Sequence, residues 1–162
     1  MNLIVNVDKN WAIGKDNKLL FRLSQDMKFF RNHTTDNIII MGRRTLESFP
    51  GSKPLPNRTN IVLSRQKGYA PDGVTVCHGT DELAQLLKDA AEDIYVIGGE
   101  SVYRELLPLC GTAYVTKVDA AADSADSFMV NLDESPDWEL EEESEELEEK
   151  GIKFRFVKYK RK

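Results

Sequence analysis

The sequence predicts one α/β domain over residues 1–162: a central, mixed, mostly parallel sheet of about eight strands flanked by helices, with an antiparallel C-terminal hairpin. Three observations lead there. Short Val- and Ile-rich runs alternate with helical stretches along the chain, the pattern of an α/β sheet rather than a bundle or sandwich. Ile38-Ile39-Ile40-Met41 and Ile94-Tyr95-Val96-Ile97 are apolar at consecutive positions, as in strands covered on both faces. Phe154-Arg155-Phe156-Val157-Lys158-Tyr159 instead alternates, like a half-exposed edge strand. Neither a repeat nor a linker interrupts the pattern.

Strands are expected at Leu3–Val7, Ile38–Met41, Asn60–Ser64, Val74–Cys77, Ile94–Gly98 and Thr112–Val118, then as a pair around Trp138–Ser144 and Lys153–Tyr159. Helices are expected to begin near Ser24, Arg43, Asp81 and Gly99, with Ser24 as a helix cap. Residues 8–23, rich in Asp, Lys, Asn and Gly, read either as a functional lid or as an ordinary mobile loop. Trp138, Leu140 and Leu147 break up the glutamate-rich stretch Glu139–Glu149, which reads as a solvated hairpin without a function of its own.

With 41% hydrophobic and 30% charged residues, the composition is that of a chain with a packed core. No apolar run is long enough to span a membrane and the N-terminus lacks a secretory pattern, so a cytoplasmic protein is expected. A formal charge of -5 argues against a general nucleic-acid surface. Cys77 and Cys110 have neither metal-ligand nor redox spacing and are expected as buried free thiols. The two histidines, His33 and His78, form no metal or nucleophile arrangement, which disfavours hydrolysis by a triad or by zinc, and no metal is expected. Neither a GxGxxG after the first strand nor a P-loop is present.

Asp26 lies among mostly apolar neighbours, and positions 26 and 30 share a helical face. Asp26 and Phe30 together suit a flat heterocycle bearing N–H donors; alternatively Asp26 merely complements the helix dipole. Met41-Gly42-Arg43-Arg44-Thr45 passes from strand to helix with two arginines, and Leu63-Ser64-Arg65 ends another strand with a hydroxyl and a guanidinium. Such segments hold phosphates, and three arginines near one phosphate favour NADPH over NADH; otherwise they are solvated surface arginines. In Ile97-Gly98-Gly99-Glu100-Ser101 the paired glycines either admit a ligand against the backbone or form a tight turn.

Taken in order, Ile13-Gly14-Lys15-Asp16-Asn17, Ile40-Met41-Gly42-Arg43-Arg44-Thr45-Leu46-Glu47-Ser48, Pro54-Leu55-Pro56-Asn57-Arg58 and Ile97-Gly98-Gly99 resemble the blocks of the dihydrofolate reductase family over nearly the whole chain. The resemblance implies reduction of 7,8-dihydrofolate to tetrahydrofolate by hydride from NADPH, in a monomer that antifolate inhibitors can occupy. It implies that Asp26 binds the pterin and aids its protonation, supported by Thr116, with Ile4 and Ile97 giving backbone contacts. Phe30 becomes an aromatic wall, Phe49 and Leu55 line the benzoyl part, and Arg58 clamps the glutamate carboxylate.

For the cofactor, the resemblance places Ala12, Ile13 and Gly14 at the nicotinamide, with Leu19 as a further cofactor-binding residue. Gly98, Gly99 and Ser101 hold the pyrophosphate with Arg44 and Thr45, and Asn17, Gly42, Ile97, Val102 and Tyr103 also bound the cofactor. Arg43, Ser64 and Arg65 take the adenosine 2′-phosphate. Hydride transfer needs positioning, a proton route and water exclusion, so no nucleophile is required.

The chain also departs from the family. Leu19-Leu20-Phe21 stands where Leu-Pro-Trp is usual, so Phe21 offers no indole N–H to organise a water, and lower turnover is expected. Leu20 and Ser24 replace prolines, and Asp126-Ser127-Phe128-Met129-Val130 keeps the carboxylate and hydroxyl of a lid latch. Two other readings are the related pyrimidine reductase of riboflavin synthesis, against which Asp26 and Arg58 weigh, and a non-catalytic pterin- or nucleotide-binding protein.

Overall fold

In the computed structural model, which describes residues 1–162, the Val- and Ile-rich runs become the centre of one twisted sheet. Along the chain come β1 (Asn2–Val7), β2 (Ala12–Lys15), β3 (Lys18–Leu19), α1 (Ser24–Thr34), β4 (Ile38–Gly42), α2 (Arg43–Glu47), β5 (Thr59–Leu63) and β6 (Thr75–Cys77). There follow α3 (Thr80–Leu87), β7 (Ile94–Gly98), α4 (Glu100–Leu106), β8 (Thr112–Val118), β9 (Ser127–Phe128), β10 (Trp138–Glu143), β11 (Leu147–Glu149) and β12 (Ile152–Arg161). The sheet order is β10-β12-β8-β1-β7-β4-β5-β6, parallel from β8 to β6 and antiparallel where β12 meets β8, β10 and β11.

Alternating side chains sort the core into two layers. Leu3, Val5 and Val7 of β1 join Ile38, Ile40, Val96, Ala113, Val115, Val157 and Tyr159 in a cluster of 22 buried residues on one face. Ile4, Ile39, Met41 and Tyr95 point the other way, and Phe29 and Phe30 of α1 pack on them. On that second face Leu23 also meets Val118 and Phe154. Most of the apolar area is therefore buried under α3 and α4, while the α1 side carries two smaller clusters and the space between them.

Three expectations need correction. Residues 8–23 are not irregular throughout, because β2 and β3 form a hairpin and β2 also pairs with β9 in a separate three-stranded sheet. The turn is Asp16-Asn17, at φ 50° and 61°, where short polar side chains tolerate the left-handed backbone that a two-residue hairpin needs. Second, β12 is not an edge strand, since β10 covers it; its alternation places Phe154 on one face and Val157 and Tyr159 on the other, all three buried. Third, the acidic stretch supplies two separate partners of β12 rather than one solvated hairpin.

Cys77 and Cys110 are buried and unpaired. No helix is long and apolar enough to cross a membrane, and no group of three or more His, Cys, Asp or Glu is placed to hold a metal.

Candidate active site

The two-residue alternation that sends Ile4 to the α1 side sends Asn6 there too, and on β8 it does the same for Tyr114 and Thr116. Asn6 and Thr116 are register partners across β1 and β8. Asp26, in the first turn of α1, sits over both: Thr116 Oγ1 donates to Asp26 Oδ1 at 2.6 Å and Asn6 Nδ2 donates to Oδ2 at 2.9 Å. Burial dominates and raises the Asp26 pKa above the ordinary carboxylate value, against the two hydrogen bonds, which lower it; the negative Glu149 adds to the rise. Thr116 is itself buried. A carboxyl so held is poised to exchange a proton or accept N–H groups of a planar ligand.

On the same α1 side of the sheet the structure brings Ile4, Phe30, Phe49, Leu55 and Ile97 into one apolar cluster with Ile39, Met41 and Tyr95. Arg58 closes its far end. Its guanidinium carbon lies 5.7 Å from the centroid of the Phe30 ring, and Nη2 reaches Thr35 Oγ1 at 3.4 Å. The buried Nε of Arg58 has no acceptor within the protein, a donor that an incoming carboxylate would satisfy. Burial, followed by the nearby Arg31, lowers the Arg58 pKa, as expected for a cation short of counter-charge.

The second space opens where β4 and β7 end side by side, with Met41 opposite Gly98. Asn17, Gly42, Arg44, Thr45, Gly99, Glu100, Ser101, Asp126 and Ser127 line a cavity of about 420 Å³. Gly98 has φ 126°, a conformation closed to residues with a Cβ, and the Gly98-Gly99 peptide is cis. A Cβ on Gly42 would lie 3.1 Å from Val102, and one on Gly98 3.4 Å from the Tyr103 ring. Val102 and Tyr103 thus set the floor under the glycines, and Tyr103 is anchored by donating its hydroxyl to the Ile4 carbonyl at 2.8 Å. Since α2 has only five residues, the arginine side chains rather than a helix dipole carry the positive charge here.

Arg43 and Ser64 follow the register-paired ends Gly42 and Leu63 of β4 and β5, so their backbones are neighbours. Arg43 is engaged with Glu47 at 2.6 Å, whereas Arg65 is exposed. His78 Nδ1 stands 2.9 Å from the Ser64 carbonyl oxygen.

Ala12, Ile13 and Gly14 lie on β2, with Leu19 opposite Gly14 on β3. The hairpin is tied down at several points. Asp126 Oδ2 accepts the Asp16 N–H at 3.0 Å, and the Asp126 N–H donates to the Gly14 carbonyl at 3.0 Å. Asn17 Nδ2 donates to the Arg44 carbonyl at 2.6 Å, and Glu100 Oε1 accepts the Phe128 N–H at 2.6 Å. Phe21 joins the Leu23, Val118 and Phe154 cluster at the foot of the hairpin.

The sequence reading missed Asn6, Asn60, Asp8 and Glu149. Buried Asn60 accepts the Leu55 N–H and donates to the Leu55 and Arg58 carbonyls, fixing the loop that carries both site residues. Buried Asp8 accepts three backbone N–H groups, from Asn10, Ala12 and Ala122, and so roots the hairpin. A polar residue inside an apolar run was the available signal for Asn6 and Asn60. Ser24 is not the cap: the N-cap position is Leu23, no side chain there caps α1, and Glu149 accepts the Ser24 and Gln25 N–H groups instead.

Comparison with known proteins finds relatives along the whole chain. The family model "Dihydrofolate reductase" matches residues 1–161. A dihydrofolate reductase of Enterococcus faecium is 41% identical over 157 residues, covering 95% of this chain and 92% of that one. One from Neisseria gonorrhoeae is 33% identical over 159 residues, covering 98% and 96%. The solved structure of an Enterococcus faecalis dihydrofolate reductase, complexed with NADP(H) and RAB-propyl, superposes with a TM-score of 0.88 at 32% identity, covering 99% of this chain and 95% of that one. On sequence and on fold alike, the chain belongs to the dihydrofolate reductase family.

Proposed function

We propose that the chain is a dihydrofolate reductase that binds 7,8-dihydrofolate at Asp26 and NADPH along the β4–β7 cavity. The observation that carries the reading is the Asp26 carboxyl, held by two neutral donors over an apolar pocket that ends in the unsatisfied Arg58.

When bound, NADPH supplies the hydride. Asp26 accepts hydrogen bonds from the pterin amino group and ring N–H, and its raised pKa lets the carboxyl carry a proton toward the adjacent imine. The Ile4 carbonyl, which accepts the Tyr103 hydroxyl, gives one backbone contact to the pterin, and Ile97 brings the corresponding backbone on β7. Phe30 stacks against the ring system, Phe49 and Leu55 line the benzoyl portion, and Arg58 binds a carboxylate through Nε and its terminal nitrogens. An antifolate with a protonatable amino-substituted ring would use Asp26 in the same way.

The cofactor side fits a dinucleotide phosphate. Gly98 and Gly99 leave room for the pyrophosphate against the backbone, with Ser101, Thr45 and Arg44 around it and Asn17 and Gly42 at the rim. Arg43, Ser64 and Arg65 face the 2′-phosphate. Ala12, Ile13 and Gly14 would hold the nicotinamide and shield it from water, with Leu19 opposite Gly14 on the partner strand. Residues for both ligands come from one chain, so a monomer suffices, and two buried free thiols suit a reducing compartment such as the cytoplasm.

The test is loss of the reduced-nicotinamide absorbance in the presence of dihydrofolate, for wild type and Asp26→Asn. Wild-type turnover that falls at least about a hundredfold in the variant supports both activity and role. A folded wild-type protein that binds ligands without oxidising NADPH overturns the reading.

A further inference from the structure

We infer that Glu149 is a positioning residue of the active site, acting on Asp26 through the first turn of α1 from the opposite end of the chain; the inference rests on the role proposed above for Asp26. Leu23 opens α1 without a side-chain cap, leaving the first amide groups of the helix in need of acceptors. Glu149 Oε2 accepts the Ser24 N–H at 2.6 Å and Oε1 accepts the Gln25 N–H at 3.1 Å. Its acidic neighbours behave differently. Glu141, Glu143 and Glu146 face Lys158, Arg155 and Lys153 on β12, whereas Glu149 faces backbone N–H groups.

The geometry fixes Asp26 from two directions. Glu149 is paired with Ile152 on β12, and β12 carries Phe156 opposite Thr116. The cap on the helix and the hydroxyl on the carboxylate therefore hang from one hydrogen-bonded sheet. Between them Leu23 is fully buried against Val118 and Phe154, and its carbonyl accepts the Met27 N–H at 2.9 Å. The turn that carries Asp26 has little freedom to slide.

Charge adds a second effect. The other groups facing Asp26 are neutral: Thr116 of β8, Asn6 of β1, and Tyr103 of α4, whose phenol is kept protonated by burial. Glu149 is the like charge whose field reaches the carboxyl, and it also offsets the positive helix start that would otherwise favour ionised Asp26. Both effects favour the protonated carboxyl.

Glu149→Gln keeps the length and an acceptor but removes the charge, and Glu148→Gln removes the same charge from an exposed neighbour on β11. Carboxyl-carbon NMR titration of Asp26, assigned with Asp26→Asn, reads the result on the unliganded protein. We expect Glu149→Gln to lower the Asp26 midpoint by roughly 0.3 to 0.7 pH unit at low salt, and less at high salt. The pH profile of kcat/KM should move the same way, and Glu148→Gln should leave both in place. An Asp26 midpoint unchanged by Glu149→Gln, or moved equally by Glu148→Gln, overturns the inference. Because the titration needs no turnover, a protein that failed to reduce dihydrofolate would overturn the functional reading and leave this result standing.

Discussion

Asn6 and Thr116 face each other across β1 and β8, and each donates one hydrogen bond to a different oxygen of Asp26. Both donors favour the ionised carboxylate against burial, which favours the protonated form. Thr116→Val keeps the shape and removes one donor. It is expected to raise the Asp26 pKa further and to lower kcat/KM about tenfold, equivalent to about 1.4 kcal/mol. A pH profile of kcat/KM for the variant checks this.

Asp26 itself is expected to cost stability at neutral pH. A carboxyl whose pKa is higher folded than unfolded contributes no difference below the unfolded value. It subtracts stability as pH rises past that value, and the loss is complete above the folded value. Asp26→Asn should therefore melt above wild type at about pH 7, with the gap closing as the solution is acidified through the carboxylate range. Thermal melts of both proteins across that range decide it.

Asn60 braces the loop beside the proposed substrate pocket. Its three bonds hold Leu55 and Arg58, and the residue is 3% exposed. Asn60→Ala leaves those backbone groups without partners, and a loss of about 2 to 3 kcal/mol in denaturant unfolding is expected. In folded variant protein, KM for dihydrofolate should rise more than kcat falls, because the chemistry at Asp26 is untouched.

Cofactor choice should depend on Arg65. Arg43 is shared with Glu47, while Arg65 is exposed beside Ser64. Arg65→Ala is expected to reduce the preference for NADPH over NADH about tenfold, read as the ratio of their kcat/KM values, with NADH nearly unaffected.

Phe21 tests the departure at the foot of the hairpin. It packs with Leu23, Val118 and Phe154 and has no polar atom to offer. Phe21→Trp should raise turnover several-fold if an indole N–H there orders a water near the pterin. Unchanged kcat would show that this chain works without that group.

The sequence by itself determined the long strands of the central sheet, that most lie covered on both faces, and where helices begin, but not the short strands β2, β3, β9 and β11. Apolar periodicity and β-branched composition are local properties, so Ile38–Met41 and Ile94–Ile97 are legible as buried strands without any partner. The ordered blocks around Gly42, Arg58 and Gly98 carried the family and its cofactor, because close approach of backbone to a phosphate demands particular residues at particular spacings. What the sequence left open depended on pairing between distant segments. Whether β12 lay at an edge turned on β10, and whether the acidic stretch was idle turned on where Glu149 landed, 125 residues from Ser24. Asn6 looked like an ordinary polar residue in a strand until register placed it opposite Thr116 and beneath Asp26. Hydrogen bonds of a few ångströms between residues far apart in the chain are set by sheet order and register, and those are collective properties of the packed sheet that no short window of sequence contains.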